Sequence, residues 1–425
     1  MQKKKVQKVR YDSHRVRLKT GESERFNGTY EYRWTDRYGK RQAIYARTLA
    51  ELRQKEEQLI VDRHDGIRTD IRSVTVDDIF ELWKDLKRGV KDNTMQNYIY
   101  TYNAFIRPSF GKNRIVMVKK TDVRRFYNTL LDGKRMKVAT LDSVNNVLRQ
   151  IFQLAEDDDM IRHNPVINVY KEIKKSHNIG ETKRRALTID QQKLFLDYMK
   201  NSFKYNHWYP LFHIMVNTGM RVGEFTGLRW CDVDLDKELI NINHTLVYYN
   251  HAGKGGCGFS INTPKTAAGV REIPMTPEVK DAFQMIRTYY DDLDIKCKSH
   301  IDGYTDFVFL NRDGKVYNQE ALNRAIHRIM RDCNDEILEN RAEDDDSEPV
   351  LLPDFSCHVL RHTFATRLCE SGMNIKVIQN VLGHADITTT MNIYVDVTND
   401  LKKKEMASFS QYLQGEEESF SEEDS

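Results

Sequence analysis

Four amphipathic stretches follow one another between residues 75 and 157, and no other feature constrains the fold as strongly. The second stretch shows the pattern most clearly. Its apolar positions are Met95, Tyr98, Ile99, Tyr102 and Ile106. Intervals of three and four residues place such side chains on one face of a helix. Four helices that each have one apolar face and short connections predict a compact bundle.

The last third of the chain concentrates polar side chains in a run of helix signals from His358 to Tyr394. His358 and Arg361 are three residues apart, which places both on one face of a helix. Gly383 ends a later helix and leaves His384 at a turn. A third short helix then carries Tyr394. A tyrosine held near an arginine and two histidines suggests a phenol that acts as a nucleophile.

Capping residues predict where several of these helices begin. Asn374 and Asp386 stand at the starts of the second and third C-terminal helices. Thr188 with Gln191 forms a capping box that opens an earlier helix. The last domain is therefore expected to start near residue 183.

A second polar motif, TGMRVGE, occupies residues 218–224 and is followed by LRWCD at 228–232. The glycine ends one helix and the next begins at Arg221. Glu224 lies three residues further on, where its carboxylate can hold the guanidinium in place.

Strand signals follow at residues 239–249, 258–263 and 269–273. The glycine-rich loop at 250–257 predicts a long hairpin rather than a phosphate cradle, because no helix follows its glycines. Lys265 lies in the turn between the second and third strands.

Together these motifs resemble the tyrosine recombinases, the family of phage and transposon integrases. The family pattern HxxRH, then LGH, then tyrosine matches residues 358–362, 382–384 and 394, and its first box matches residues 218–224. The match is specific because all the pieces occur in the expected order and spacing. It covers about residues 75 to 395, and the general layout looks most like integrases of conjugative transposons.

The resemblance implies six catalytic residues, namely Arg221, Lys265, His358, Arg361, His384 and Tyr394. Tyr394 would attack a phosphodiester and form a 3′-phosphotyrosine, and a second 5′ hydroxyl would then rejoin the strands. The two arginines and His384 would stabilise the phosphoryl oxygens, and Lys265 would protonate the leaving oxygen. Covalent catalysis of this kind requires neither a metal nor ATP, so no cofactor is expected.

The N-terminal segment has the charge of a polyanion-binding module. Residues 1–70 contain 18 Lys and Arg against 11 Asp and Glu. Two short strands and a helix are predicted there, and the resemblance implies an arm-type DNA-binding domain. The proposed DNA contacts are Arg33, Arg37, Lys40, Arg41 and Arg47. A basic solubilising face is the alternative interpretation.

A basic segment, residues 171–185, lacks apolar periodicity and predicts an extended linker. Such a linker can lie against phosphates, or it can be a solvated hinge. The candidate contacts are Lys174, Lys175, Lys183, Arg184 and Arg185.

These features predict a multidomain, mainly α protein with small β-sheets (α+β). The expected parts are an arm-type module at 1–70, a helical core-binding domain at 74–172, a mixed α/β catalytic domain at 183–397, and a helix with an acidic tail at 398–425. That terminal helix is expected either on its own domain or on a neighbouring subunit. The resemblance implies double-stranded DNA with core and arm-type sites as partner, a homotetramer on DNA, and DNA-bending or excision accessory proteins.

Composition limits the kinds of site that the protein can contain and its cellular location. Six scattered cysteines without a CxxC pair argue against a zinc site and against disulfides. With no apolar run long enough for a membrane span, a cytoplasmic, nucleoid-associated bacterial protein is expected.

Two other functions remain open, a type IB topoisomerase-like relaxing enzyme and a catalytically silent DNA-binding regulator. Strand exchange between two sites separates the first from a recombinase, and a covalent adduct separates the second.

Overall fold

The computed structural model describes residues 9–35, 41–64, 73–133, 135–176, 186–251, 256–264, 266–341, 348–396 and 406. The chain forms two compact units, Met1–Glu181 and Thr182–Ser425. The predicted fold class, mainly helical with small sheets, is confirmed. No helix in the described ranges is both long and apolar enough to cross a membrane.

The first unit begins with a small β-rich module. Its elements are β1 (Arg10–Tyr11), β2 (Arg17–Leu18), β3 (Glu22–Glu24), β4 (Tyr30–Thr35), β5 (Arg41–Ala46) and α1 (Leu49–His64). β1 pairs with β2, and β3, β4 and β5 form an antiparallel sheet in that order. Trp34 and Ile44 from the sheet pack with Leu52 and Leu59 from α1. Both predicted strands and the helix are therefore present.

Strand β3 was not predicted, because its sequence Glu-Ser-Glu has no apolar alternation. The structure buries Glu22 completely. Arg53 donates from Nε to its carboxylate at 3.1 Å, and the backbone N–H of Lys19 donates to it at 2.6 Å. A buried carboxylate is tolerated only with such partners. The strand thus depends on a charge pair between residues far apart in the sequence.

The helical bundle follows within the same unit. Its elements are α2 (Val76–Leu86), α3 (Asp92–Thr101) with a π-helical turn at Tyr102–Ile106, α4 (Lys120–Asp132), α5 (Val138–Asp157) and α6 (Val169–Ser176). The apolar faces predicted from the sequence form one core, with Phe80 and Tyr102 stacked at 3.6 Å between ring centroids. Thr75 caps α2 as part of a capping box. Helix α3 begins at Asp92, directly after Lys91.

Helix α6 corrects the prediction of an extended linker from residue 171. Val169 and Ile173, one turn apart, are buried in the bundle core, with 0% and 4% of their surface exposed. Two apolar anchors at this spacing suffice to hold a short helix when a core is available to receive them. Residues 177–185 of the predicted linker lie outside the described residues.

In its described residues, the second unit has eight further α-helices and five further strands. The helices are α7 (Ile189–Asn201), α8 (Tyr209–Thr218), α9 (Val222–Gly227), α10 (Pro277–Asp292), α11 (Gln319–Glu339), α12 (Cys357–Glu370), α13 (Ile375–Leu382) and α14 (Ile387–Asp396). The strands are β6 (Val233–Asp234), β7 (Leu239–Ile242), β8 (Thr245–His251), β9 (Gly256–Asn262) and β10 (Arg271–Pro274). Helix α8 is buried through most of its length and lies in the main core.

The single strand predicted at 239–249 is two strands in different sheets. β7 lies between β10 and β6, whereas β8 and β9 form a two-stranded sheet of their own within the described part of the chain. Between them, Asn243 donates to Asp232 at 3.0 Å and the ring of His244 hydrogen-bonds to the carbonyl of Gly227 at 2.6 Å. These side-chain bonds fix the break, and a pattern of apolar residues does not reveal them.

Residues 307–310 are buried, and two isolated β-bridges join them to the rest of the unit, Phe307 to Arg229 and Leu310 to Val316. The predicted helix at 398–413 lies outside the described residues except for Met406, and so does the acidic tail.

Candidate active site

Arg221 is positioned by the junction between α8 and α9. Helix α8 ends at Gly219, which has φ +60°, and Arg221 is the residue that precedes α9. The Nη1 of Arg221 donates to Glu224 at 2.7 Å, and its backbone N–H donates to the same carboxylate at 2.9 Å. The predicted contact between these two side chains is confirmed. The Arg221 side chain keeps 43% of its surface exposed.

Arg361 lies one turn into α12 and is only 6% exposed. Its Nη1 donates to the carbonyl of Gly219 at 2.7 Å, and its Nη2 donates to the carbonyl of Leu382 at 2.6 Å. Arg361 therefore connects the end of α8 with the end of α13. His358, three residues earlier in α12, is exposed.

Three guanidiniums converge on the C-terminal end of α13. Successive carbonyls each accept from a different arginine: Val381 from Arg271 Nε at 2.6 Å, Leu382 from Arg361 Nη2 at 2.6 Å, and Gly383 from Arg221 Nη2 at 3.0 Å. The last carbonyls of a helix lack intrahelical partners and carry partial negative charge. Cations are stabilised there, so the helix end and the carboxylate of Glu224 together hold the cluster.

Sequence reasoning assigned no role to Arg271, which lies within the strand predicted at residues 269–273. Arg271 belongs to β10, and its side chain is 6% exposed. Its Nη2 donates to Glu224 at 2.9 Å. Only the packing of β10 against α13 brings this arginine to the site.

Gly383 is required at the end of α13 for two reasons. Its φ is +63°, in the left-handed region that favours glycine. A Cβ built there would also meet the Ala268 carbonyl at 2.8 Å and Arg271 Cδ at 2.9 Å. The glycine thus permits both the turn and the close approach of the arginine.

His384 follows this turn and is half-buried. Its backbone N–H donates to the Gln379 carbonyl at 3.1 Å, and its own carbonyl accepts from Gln379 Nε2 at 3.0 Å. A hydrogen bond of 3.0 Å joins its Nδ1 to the hydroxyl of Thr390 in α14. The imidazole is thereby fixed from both neighbouring helices.

The clustered charges shift the protonation equilibria. Burial and the nearby cations Arg361, Arg221 and Arg271 lower the pKa of His384 to about 4, so the ring is neutral at pH 7. Burial and Arg221 lower the pKa of Arg361 to about 9, which still leaves it charged. Burial raises the pKa of Glu224, but its hydrogen bonds and charge interactions with Arg271 and Arg221 outweigh that effect, and the net shift is downward.

Of the other two predicted catalytic residues, one is not described and the other is described only in its backbone. Lys265 lies outside the described residues, between β9 and β10. Tyr394 belongs to α14, four residues after Thr390, and its side chain is not described. The structure therefore brings together Arg221, Arg361 and His384 and places Tyr394 on the adjoining helix.

The structure describes five of the ten predicted DNA-binding residues. Arg33, Arg41, Arg47 and Lys175 are exposed, and Lys174 is half-buried in α6. Arg33 pairs with the buried Glu31 of the same strand. The other candidates, Arg37, Lys40, Lys183, Arg184 and Arg185, lie outside the described residues.

Comparison with known proteins places this arrangement in a family. The sequence model described as the phage integrase family matches residues 185–400. Two further models match upstream, the DNA-binding domain of Tn916 integrase at residues 6–63 and the N-terminal SAM-like domain of phage integrase at residues 75–131.

Relatives and solved structures agree with this placement. The transposase from transposon Tn916 of Enterococcus faecalis is 29% identical over 412 residues, which cover 94% of this chain and 96% of the relative. A XerC-like tyrosine recombinase of Caldanaerobacter subterraneus is 26% identical over 87% of this chain and 93% of its own length.

The Tn1549 transposon integrase, solved in complex with a circular intermediate DNA, is 28% identical and superposes with a TM-score of 0.68 over 79% of this chain and 100% of that chain. The phage integrase family model covers half of the present chain and includes all six residues of the candidate site. This protein therefore belongs to the phage integrase family and is a tyrosine recombinase.

Proposed function

We propose that this enzyme integrates and excises a mobile DNA element by cutting and rejoining strands at specific sites through a covalent link to Tyr394. The observation that carries the proposal is the convergence of Arg221, Arg361 and His384 at the end of α13, next to the helix that contains Tyr394. Three guanidiniums against one carboxylate leave an excess of positive charge, which suits a phosphodiester.

In the proposed reaction, the phenolic oxygen of Tyr394 attacks the phosphorus and the bond to the 5′ oxygen breaks. A phenol has a pKa of about 10, so roughly one in a thousand is ionised at pH 7, a handicap of about 4 kcal/mol. His358 takes the phenolic proton, and Lys265 gives a proton to the leaving 5′ oxygen. The second strand rejoins when another 5′ hydroxyl attacks the phosphotyrosine and releases Tyr394.

The proposed role of this cluster is to stabilise the negative charge that develops on the phosphoryl oxygens. Each Nη of Arg221 and Arg361 carries two hydrogens and donates one of them in the described contacts. The other hydrogen remains available to a phosphate. A neutral His384 whose Nδ1 accepts from Thr390 carries its proton on Nε2, and that N–H becomes a further donor. Preorganised donors of this kind are typical of transition-state stabilisation.

The same proposal assigns a role to each domain of the chain. The segments 1–70 and 74–172 bind arm-type and core sites on double-stranded DNA, and residues 183–397 perform the chemistry. The matches to a Tn916-type DNA-binding domain and to a SAM-like domain support the first two assignments. A homotetramer on DNA, accessory bending proteins and a nucleoid location stay predictions from the resemblance.

The test is covalent capture on a nicked duplex that carries the cognate site. In excess EDTA, the wild-type protein is expected to form an adduct that survives denaturing electrophoresis. Tyr394→Phe is expected to bind the same DNA with unchanged affinity and to form no adduct, because it lacks the nucleophilic oxygen. Tyr289→Phe, which alters a tyrosine of α10, is the control and should form adduct normally.

Adduct from Tyr394→Phe would contradict the assignment of the nucleophile, and strict dependence on magnesium would contradict the proposed metal-free route. Adding a second site then separates recombination from simple relaxation, since only a recombinase exchanges strands between two sites.

A further inference from the structure

We infer that Arg271 is a positioning residue of the recombination site, which holds Arg221 through Glu224 and His384 through the carbonyl of Val381. The inference rests on the proposed function and adds a seventh residue to its six. It is based on contacts that the structure describes directly.

All three guanidinium nitrogens of Arg271 are engaged by the protein itself. Nε donates to Val381, Nη2 donates to Glu224, and Nη1 points to the carbonyl of Gly269 at 3.4 Å. The Arg271 side chain is buried, with 6% of its surface exposed, whereas 43% of the Arg221 side chain is exposed. Arg271 is therefore suited to hold other groups in place, and Arg221 to meet a phosphate.

The contact with Glu224 matters most when DNA is bound. Glu224 is 5% exposed, and its carboxylate has two cationic partners. If a phosphate attracts donors of Arg221, the buried carboxylate still needs a counter-charge, because an unpaired buried charge is costly. Arg271 supplies that charge from the buried side of the carboxylate, so Glu224 keeps its place and continues to orient Arg221.

The contact with Val381 acts on His384. Helix α13 has eight residues, and an isolated helix of that length is not stable in water. Its last turn is held from outside by the arginines, and Arg271 Cδ also approaches the position of a Gly383 Cβ closely. Losing Arg271 would loosen the segment 381–384 that carries the imidazole.

The first test compares Arg271→Met with Arg271→Lys in the full-length protein. At saturating nicked duplex, the single-turnover rate of adduct formation is expected to fall roughly 10- to 100-fold for Arg271→Met, the order expected for a displacement of about 1 Å. The Kd for DNA should change less than about threefold. Lysine keeps the charge but cannot bridge Glu224 and Val381 at once, so Arg271→Lys should also cleave slowly.

Arg229→Met is the matched control. Arg229 pairs with a buried carboxylate, Asp232, at 3.2 Å, and it has no described contact with α13. It should lower stability while leaving the cleavage rate of the folded protein nearly unchanged. A wild-type rate for Arg271→Lys, or an equal rate loss for Arg229→Met, would overturn the positioning role.

A second readout does not depend on cleavage. In DNA-free protein, the ring titration of His384 followed by NMR should move to higher pH in Arg271→Met, because one of its neighbouring cations is gone, and should stay near the wild-type value in Arg271→Lys. An unchanged His384 titration in Arg271→Met would contradict the inference. If wild-type protein forms no adduct, the proposed function fails, and this titration still decides whether Arg271 acts on His384.

Discussion

At the scale of single residues, the site depends on one carboxylate that organises several cations. Glu224 accepts from the side chains of Arg221 and Arg271 and from the backbone N–H of Arg221. Like charges so close together would repel in a buried setting, and the carboxylate offsets part of that repulsion. The electrostatic role of Glu224 is thus collective rather than pairwise.

Glu224→Gln is expected to destabilise the second unit by about 3 kcal/mol, because it leaves two guanidiniums without their buried counter-charge. The measurement is urea unfolding followed by circular dichroism. Glu238→Gln is the control, since Glu238 pairs with Lys280 at a partly exposed position and should cost less than about 1 kcal/mol. Equal losses for the two variants would contradict the importance assigned to the buried pair.

At the scale of secondary structure, α13 is a short helix whose two ends are both determined by special residues. Asn374 caps its start by accepting from the backbone N–H of Lys376 at 2.9 Å, and Gly383 ends it. Ile378 and Leu382 anchor it in a small core with α12. The position of His384 therefore follows from how this one element ends.

Gly383→Ala should disturb that end more than a comparable change elsewhere. The substitution adds a strained φ and a methyl group in contact with a backbone carbonyl. Gly372→Ala is the control: Gly372 also has a positive φ, +74°, but a Cβ added there would stand in open space. We expect Gly383→Ala to lower the free energy of unfolding, measured by thermal unfolding, by roughly 1 to 3 kcal/mol more than Gly372→Ala does. It should also slow adduct formation. Similar losses of stability for the two variants would show that the close approach at Gly383 is unimportant.

At the scale of the whole molecule, folding of the second unit favours the neutral form of four histidines. The pKa of His207, His213, His244 and His384 is lowered in each case, with burial as the largest cause. His213 is the clearest example, because neither of its buried ring nitrogens has a hydrogen-bond partner among the described residues. The unfolded chain therefore binds protons more readily than the folded unit.

This difference predicts acid sensitivity of the second unit. A depressed folded pKa contributes stability that is present above about pH 6.5 and is lost as pH falls toward the folded value. The unfolding free energy should thus drop between pH 6.5 and 4.5, as measured by hydrogen exchange of α8 corrected for the intrinsic rate. His213→Leu should reduce the drop and the exposed His300→Gln should not; a pH-independent protection of α8 would refute the prediction.

The sequence was a good guide wherever local chemistry decides. The bundle helices, the capping residues Thr188 and Asn374, and the glycine that ends α13 were predicted because propensity and capping act within a few residues. The family pattern also identified Arg221 and Arg361 from their neighbours alone. The assignment of catalytic roles to the six residues stays a prediction.

Contacts between distant segments could not be predicted in this way. Strand β3 depends on Glu22 meeting Arg53, the break before β8 depends on His244 meeting Gly227, and α6 depends on a core that receives Ile173. Each is a polar or apolar contact whose partner the local pattern does not name.

By itself the sequence determined the class of fold and the family, and it predicted the catalytic residues, because these follow from the spacing and type of the residues. The tertiary structure alone decided that Arg271 joins the site and that three arginines share the last carbonyls of α13. The physical reason is that unpaired helix carbonyls and a buried carboxylate attract whichever cations the fold brings near. Packing brings these groups together across sequence separations of up to 162 residues.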